Sequence, residues 1–261
     1  MMKIEVILKP VELHEIRTLN LSAGLRETVC VVFDVLRATS TFVTALHNGA
    51  KEIFPNPAES LAEHHKENRP EVLLGGERNG VKIHAFGRDY DFGNSPREYA
   101  PEKVKGKTIV STTTNGTGAL LGCSNAKVVL AGSFLNLRAT AKYLSENNFK
   151  NILLICAGTG KNAALEDALA AGALCEMLSD GKTEVALSDA AQIALAAYQY
   201  AKGDLYATVC KSENAKRLLA NPDLREDVLF CLQRDVFDLV AVLKNVPSWG
   251  PALSARGEAP A

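Results

Sequence analysis

The stretch Lys107-Thr-Ile-Val-Ser-Thr-Thr-Thr-Asn-Gly-Thr-Gly-Ala-Leu-Leu121 decides how the rest of the chain is read. Its opening, Thr108–Ser111, is short, apolar and β-branched, as a buried strand is. Its close is built of strong helix formers. Between them lies a run of hydroxyls, one amide and two glycines. A turn of this kind aims backbone N–H groups outward at a helix N-terminus, where they favour an anion. Glycines let the backbone approach a ligand, and hydroxyls add uncharged donors. A plain N-cap uses one such residue. The surplus over Thr112, Thr113, Thr114, Asn115, Gly116 and Thr117 therefore points to a phosphate or sulfonate cradle.

The strand-to-helix step repeats along the chain. Strand candidates are Ile4–Leu8, Val29–Val35, Glu52–Phe54, Val72–Leu74, Thr108–Ser111, Val128–Ala131, Ile152–Cys156 and Glu184–Leu187. Helical patterns fall between and after them, at Thr39–His47, Ala58–Lys66, Leu135–Glu146, Ala163–Leu178, Asp189–Ala201, Ala207–Leu219 and Asp223–Leu232. Near-continuous apolar strands alternating with helices predict a layered α/β/α fold around a mostly parallel or mixed sheet. The last third reads as helix-rich. Residues 1–245 read as one α/β domain, with room for two lobes. The Pro- and Gly-bearing stretch 246–261 reads as a flexible tail.

Composition narrows the function. A hydrophobic share of 47% and a charged share of 23% fit a globular chain able to bury a substantial core. The formal net charge of −1 lacks the basic excess of a nucleic-acid or membrane-surface binder. No apolar run reaches the roughly 18 residues of a membrane helix, and Met1–Leu8 reads as a strand, not a leader. Six scattered cysteines without a C-x-x-C pair read as buried reduced thiols of a cytoplasmic protein. The five histidines form no zinc spacing. The Ala-rich helices of the last third could pack a homodimer or cover the sheet.

Ligands of open α/β sheets bind beyond the carboxyl ends of the strands. Four strands bring polar groups there. Asp34 follows Val29–Phe33 and is costly unless paired or metal-bound. Capping the next helix and pairing with Arg37 are its structural alternatives. Otherwise Asp34 serves as a magnesium ligand or a base, and Arg37 as a fork for an anion. Leu36 stands where an aspartyl-phosphate mechanism of the haloacid-dehalogenase type wants a second acid. Gly75-Gly-Glu-Arg-Asn-Gly80 offers Glu77 and Arg78 on a glycine-flexed loop, with Asn94 and Ser95 following. The long segment Gly75–Pro101 reads as functional because of its length. Ala157-Gly-Thr-Gly-Lys161 lacks a full phosphate-loop pattern. Glu166 and Asp167 begin the next helix; adjacent helical residues point about 100° apart, so one faces the site. Acids, cations and a neutral cradle on one edge suit a divalent metal bridging carboxylates and a phosphoryl group.

Taken together, Asp34-Val-Leu-Arg-Ala-Thr-Ser-Thr41, Gly75-Gly-Glu-Arg-Asn-Gly-Val-Lys82, Phe92-Gly-Asn-Ser-Pro96, Thr112-Thr-Thr-Asn-Gly-Thr117, Cys156-Ala-Gly-Thr-Gly160 and Leu165-Glu-Asp-Ala-Leu169 resemble the 2-phosphosulfolactate phosphatase family. The resemblance implies a magnesium-dependent enzyme that turns 2-phosphosulfolactate into 3-sulfolactate, a step of coenzyme M synthesis, on a fold of the family's own type. It implies Asp34, Glu77, Glu166 and Asp167 as metal or acid–base residues. Arg37, Arg78 and the Thr112–Thr117 turn become the anion binders. The segment His84–Asp91 is longer than the family's usual link and would reshape the pocket. Two alternatives stay open: a phosphatase for another small anionic phosphoester, and a non-catalytic binder of phosphometabolites on the same scaffold.

Overall fold

A computed structural model of the chain describes residues 1–13, 25–180, 184–247 and 249–256. The first half contains β1 (Met2–Ile7), β2 (Val29–Phe33), α1 (Ala38–His47), β3 (Glu52–Asn56), α2 (Glu59–Asn68), β4 (Leu73–Arg78), β5 (Val81–Lys82), β6 (His84–Ala85), β7 (Arg88–Asp89), α3 (Pro101–Val104), β8 (Thr108–Thr112) and α4 (Gly116–Gly122). The second half contains β9 (Val128–Gly132), α5 (Leu137–Glu146), β10 (Asn151–Cys156), α6 (Leu165–Ser179), β11 (Val185–Leu187), α7 (Asp189–Ala201), α8 (Leu205–Val209), α9 (Glu213–Leu219), α10 (Arg225–Cys231), β12 (Ala241–Val246) and β13 (Gly250–Ala255). No helix among the described residues is long and apolar enough to cross a membrane.

The apolar strands have two buried faces, as expected of a covered sheet. Val29, Val31 and Phe33 of β2 join a core beneath α5, α6 and α7, whereas Cys30 and Val32 join a second core beneath α1 and α4. Strand β10 divides the same way. The Ala-rich composition of α6 permits close helix packing. A Cβ on Gly172 would stand 2.0 Å from the Ala194 carbonyl oxygen of α7, so only glycine fits that crossing.

The sheet is mixed. Its order is β11-β1-β10-β2-β9-β12-β13-β3-β8-β4-β5. One parallel set holds β11, β1, β10, β2 and β9; another holds β3, β8 and β4. The β12–β13 hairpin sits between them and is antiparallel to both neighbours, β9 and β3. The two parallel sets consequently run in opposite senses. Strand twist of roughly 20–25° per step accumulates to more than 100° over the five steps from β2 to β8. A rotation of that size is what lets the carboxyl ends of oppositely running sets approach one another. Among the bonds that join them, Asn115 Nδ2 donates to the Ala157 carbonyl (2.7 Å), and Thr41 Oγ1 to that of Asn94 (2.8 Å).

This hairpin corrects one sequence expectation. The last third is helix-rich, as expected, and closes on the strand pair; Gly250–Ala255 is not tail but a strand of the sheet. Ala252 and Leu253 are its buried anchors, and Pro251, near the strand start, is compatible with a strand. Residues 257–261 lie outside the described residues. The helix expected over Ala207–Leu219 is two helices, because Ser212 caps α9 by accepting from the Ala215 N–H (3.2 Å). The long segment after Gly75 is built of small hairpins. Asn79 and Gly80 both have positive φ (52° and 84°), the two-residue turn that Asn-Gly favours between β4 and β5.

Candidate active site

Where the carboxyl ends of the two sets meet, a cavity of about 330 Å³ opens, a volume suited to a small ligand. Of the residues expected at the site, Asp34, Arg37, Glu77, Asn94, Thr114 and Asn115 line it. Glu166 and Asp167 lie buried beneath.

Asp34 is the first residue after β2. Its Oδ1 accepts the Ala38 N–H at 3.1 Å, and its own N–H donates to Thr39 Oγ1 at 3.0 Å. The carboxyl thus caps α1, as one sequence alternative held, and borders the cavity as well. Burial above all, then the Glu77 and Glu166 charges, push Asp34 up to about 7, against the lowering effects of the Ala38 N–H and Arg37. Gly116 makes room for it. A Cβ there would stand 2.6 Å from Ala38 Cβ and 2.7 Å from Asp34 Oδ2. The glycine is therefore needed for close approach of two elements and not for turn freedom.

The other three acids divide by their partners. Glu77 Oε1 accepts the Thr114 N–H at 2.8 Å, and its Oε2 accepts the Gly80 N–H at 2.6 Å and the Thr114 hydroxyl at 3.2 Å. Asp167 accepts the Val35 N–H at 2.8 Å and the Gly158 N–H at 3.0 Å, one on each oxygen. Burial, then Asp34 and Glu166, raise Asp167 well above the ordinary carboxylate range. Glu77 and Asp167 therefore act as anchors between strand ends. Glu166 differs: Oε1 accepts Asn214 Nδ2 at 3.0 Å, while Oε2 is buried with no hydrogen-bond partner.

Much of the threonine run is engaged within the protein. Thr113 and Thr117 bond one another through side chains and backbone. The N–H and hydroxyl of Thr114 go to Glu77. Asn115 donates to the Ala157 and Gly160 carbonyls at 2.7 and 3.0 Å. Thr112 is buried off the cavity, and α4 is only seven residues long. Most of the run thus fastens the turn to its neighbours, and Thr114 and Asn115 alone of it border the cavity.

The two expected arginine forks part ways. Arg37 lines the cavity, with Nη1 2.6 Å from Asp227 Oδ2 and both side chains buried. Arg78 pairs with Glu59 at 2.7 Å, about a third exposed and outside the cavity lining. Ser95 also turns away, donating to Asp227 Oδ1 at 2.7 Å, where Arg97 joins at 2.8 Å. Asp227 holds two arginines and a hydroxyl, and sequence reading missed it. Asn94 does reach the cavity, with Oδ1 buried and unpartnered. The segment His84–Asp91 forms the β6–β7 hairpin away from the cavity lining, with His84 exposed and 2.7 Å from Asp89.

The cavity's far wall was also missed. Glu213, Asn214 and Arg217 come from α9. Buried Asn214 donates to Glu166 Oε1, Thr159 Oγ1 (2.8 Å) and the Leu36 carbonyl (3.3 Å), and accepts from Arg217 at 2.7 Å. Only the polar positions of an amphipathic pattern announced these residues, and solvated faces look the same.

A metal has two oxygens available, not four carboxylates. Among the described residues no group of three acid, histidine or cysteine side chains converges on one metal position. Asp34 Oδ2 accepts no hydrogen bond among the described residues, and Glu166 Oε2 is orphaned. Magnesium commonly takes one or two carboxylates and completes its shell with water and phosphate oxygens. Asp34 and Glu166 keep an oxygen free of hydrogen bonds for such a role, whereas both oxygens of Glu77 and of Asp167 already accept N–H bonds.

The model of the 2-phosphosulpholactate phosphatase family matches residues 16–246. A protein of Caldanaerobacter subterraneus subsp. tengcongensis, named "Probable 2-phosphosulfolactate phosphatase", is 44% identical over 223 residues, covering 85% of this chain and 90% of that one. Proteins of the same name from Clostridium perfringens strain SM101 and Caldicellulosiruptor saccharolyticus are 41% and 38% identical. They cover 86% and 85% of this chain and 89% and 91% of their own. The match takes in every residue that lines the cavity and leaves out β1 and β13. The chain belongs to the 2-phosphosulpholactate phosphatase family.

Proposed function

We propose that this protein is a magnesium-dependent cytoplasmic phosphatase that hydrolyses 2-phosphosulfolactate to 3-sulfolactate and inorganic phosphate, as in coenzyme M synthesis. Relatives that cover most of the chain carry that enzyme's name. The observation that carries the reading is that Asp34 and Glu77, from two separate elements, line one small cavity, with buried Glu166 from a third element near enough for its charge to act on Asp34. A mere anion binder gains nothing from three nearby acids; an enzyme that assembles a cation and a phosphoester does.

Bound magnesium would supply charge to the phosphoryl oxygens. The rest falls to this chain. Phosphoryl transfer asks for positioning and charge balance more than covalent chemistry. Asp34 and Glu166 would hold the cation through Oδ2 and Oε2. Glu77 fixes the Thr114 turn, and Asp167 clamps the β2 and β10 ends. Asn94 Oδ1, facing no donor, is available to orient a hydroxyl or water at the cavity floor.

The test is phosphate release from 2-phosphosulfolactate, phospholactate and phosphoglycerate, with and without magnesium. Metal-dependent release that favours the first supports the proposal. Equal rates on all three sink the narrow substrate claim, and no release with any metal sinks the enzyme reading.

A further inference from the structure

We infer that Arg217 reads a second anionic group of the substrate, a sulfonate or carboxylate beside the phosphoester, and so sets the specificity of this site. The inference rests on the phosphatase reading and goes beyond it by assigning a residue and a ligand chemistry to the far wall.

Charge pairing points to Arg217. Arg37 and Arg97 share Asp227, Arg78 has Glu59, and Arg88 has Glu63. Arg217 lines the acid-rich cavity yet forms no ion pair among the described residues, not even with neighbouring Glu213. A guanidinium carries five N–H donors in a rigid fork that matches planar and tripodal oxyanions. Asn214 Oδ1 engages one of them. The rest have no partner among the described residues.

Arg217 is also held in place. On one side is buried Asn214, whose amide orientation is set by its three bonds to Glu166, Thr159 and Leu36. On the other is the β4–β5 turn. A Cβ built on Gly80 would stand 3.7 Å from Arg217 Cζ, and the Gly80 N–H is tied to Glu77 at 2.6 Å. One side chain, Asn214, thus links Arg217 to the carboxylate with the orphaned oxygen. A phosphoester near Asp34 and Glu166 would present its remaining anionic groups toward this wall. Arg217 is exposed, so its fork is open to an incoming oxyanion, and a site that meets a charged group with a placed fork disfavours the analogue that lacks that group.

The experiment compares wild type with Arg217→Ala and Arg217→Lys on three phosphoesters: 2-phosphosulfolactate with both extra anions, phospholactate with the carboxylate alone, and propyl phosphate with neither. Arg217→Ala is expected to lower the kcat/KM preference for the first over the third by about 10- to 100-fold, mainly through KM, with partial recovery in Arg217→Lys. A loss shared by phospholactate assigns the carboxylate; a loss confined to phosphosulfolactate assigns the sulfonate. An unchanged preference overturns the inference. Calorimetry with 3-sulfolactate separates it from the phosphatase reading. If wild type releases no phosphate from any ester but its 3-sulfolactate binding weakens at least tenfold in Arg217→Ala, the enzyme reading fails and the anion site stands. Equal binding by wild type and Arg217→Ala, or no binding by either, overturns the inference as well. Matching circular dichroism and melting curves exclude misfolding.

Discussion

Asp34→Asn should make the protein more stable and inactive, and the gain in stability should depend on pH. The substitution keeps the acceptor for the Ala38 N–H and removes one buried charge. Burial and two acidic neighbours lift the Asp34 carboxyl from 3.8 to about 7. At roughly 1.4 kcal/mol per tenfold, that shift corresponds to a ceiling of about 4 kcal/mol. The cavity wall leaves one oxygen near water, so about 2 kcal/mol is the expected size. The sign follows from proton counts. A folded carboxyl with a raised pKa holds more protons than the unfolded chain does, so stability falls as pH rises from about 4 to 7 and levels off above. The wild-type protein carries this penalty at pH 8 and is free of it near pH 4; Asp34→Asn lacks it at both. Urea unfolding at pH 8 and pH 4.5 in divalent-free buffer measures the gap. Magnesium should narrow it, since a cation beside Asp34 offsets the buried charge. Phosphate release should drop at least about 100-fold. A variant no more stable than wild type at pH 8, or a gap of equal size at both pH values, would refute the argument that Asp34 is a strained, functional charge.

Other substitutions probe the remaining parts. Gly116→Ala places a methyl into the contact between Ala38 and Asp34 and should cost about 1–3 kcal/mol by overpacking; phosphate release within threefold of wild type would show that Asp34's position is not critical. Asp227→Ala leaves Arg37 buried without its partner and should lower unfolding free energy by about 3–5 kcal/mol, read by denaturant melts. Arg78→Ala removes an exposed pair with Glu59, so stability should change by at most about 1 kcal/mol and phosphatase kinetics by less than threefold; a large kinetic loss would return Arg78 to the site. Glu166→Gln removes one of two free carboxylate oxygens and should raise the magnesium concentration needed for half-maximal activity at least tenfold, while Asp167→Gln should fail chiefly in stability.

Local elements were legible because apolar periodicity and turn chemistry are local. Thr108–Ser111 and Ile152–Cys156 fall where their residues put them, whereas Gly75–Arg78, read as loop, continues strand β4. Strand sense was not legible. The β12–β13 hairpin pairs with β9 and β3, which lie more than a hundred residues earlier, and nothing in Gly250–Ala255 announces those partners. Its Pro and Gly content read as a tail, because a central strand with these residues is rare except at its start. The cavity-facing acids were found by the rule of strand carboxyl ends, even though the sets run in opposite senses. The rule survived because strand twist lets the ends approach one another.

The division of labour within the site runs against the residue types. Threonines and an asparagine, read as ligand donors, mostly satisfy neighbouring backbone and side chains, and Glu77 and Asp167, read as metal ligands, accept backbone N–H groups. A sequence shows how many donors and acceptors a segment owns, but not which of them the fold has already matched. Once those matches are counted, two buried oxygens stay unmatched in this region, Glu166 Oε2 and Asn94 Oδ1; Asp34 Oδ2 accepts no hydrogen bond among the described residues, and the exposed Arg217 fork lies on the cavity wall. Buried polar groups are ordinarily paired, so the unmatched buried oxygens are where a ligand's own polar groups are needed. Two carboxylate oxygens and one guanidinium are a set that a phosphoester with a second anion and its cation would complete, and that neither a phosphoester without a second anion nor a free cation completes alone.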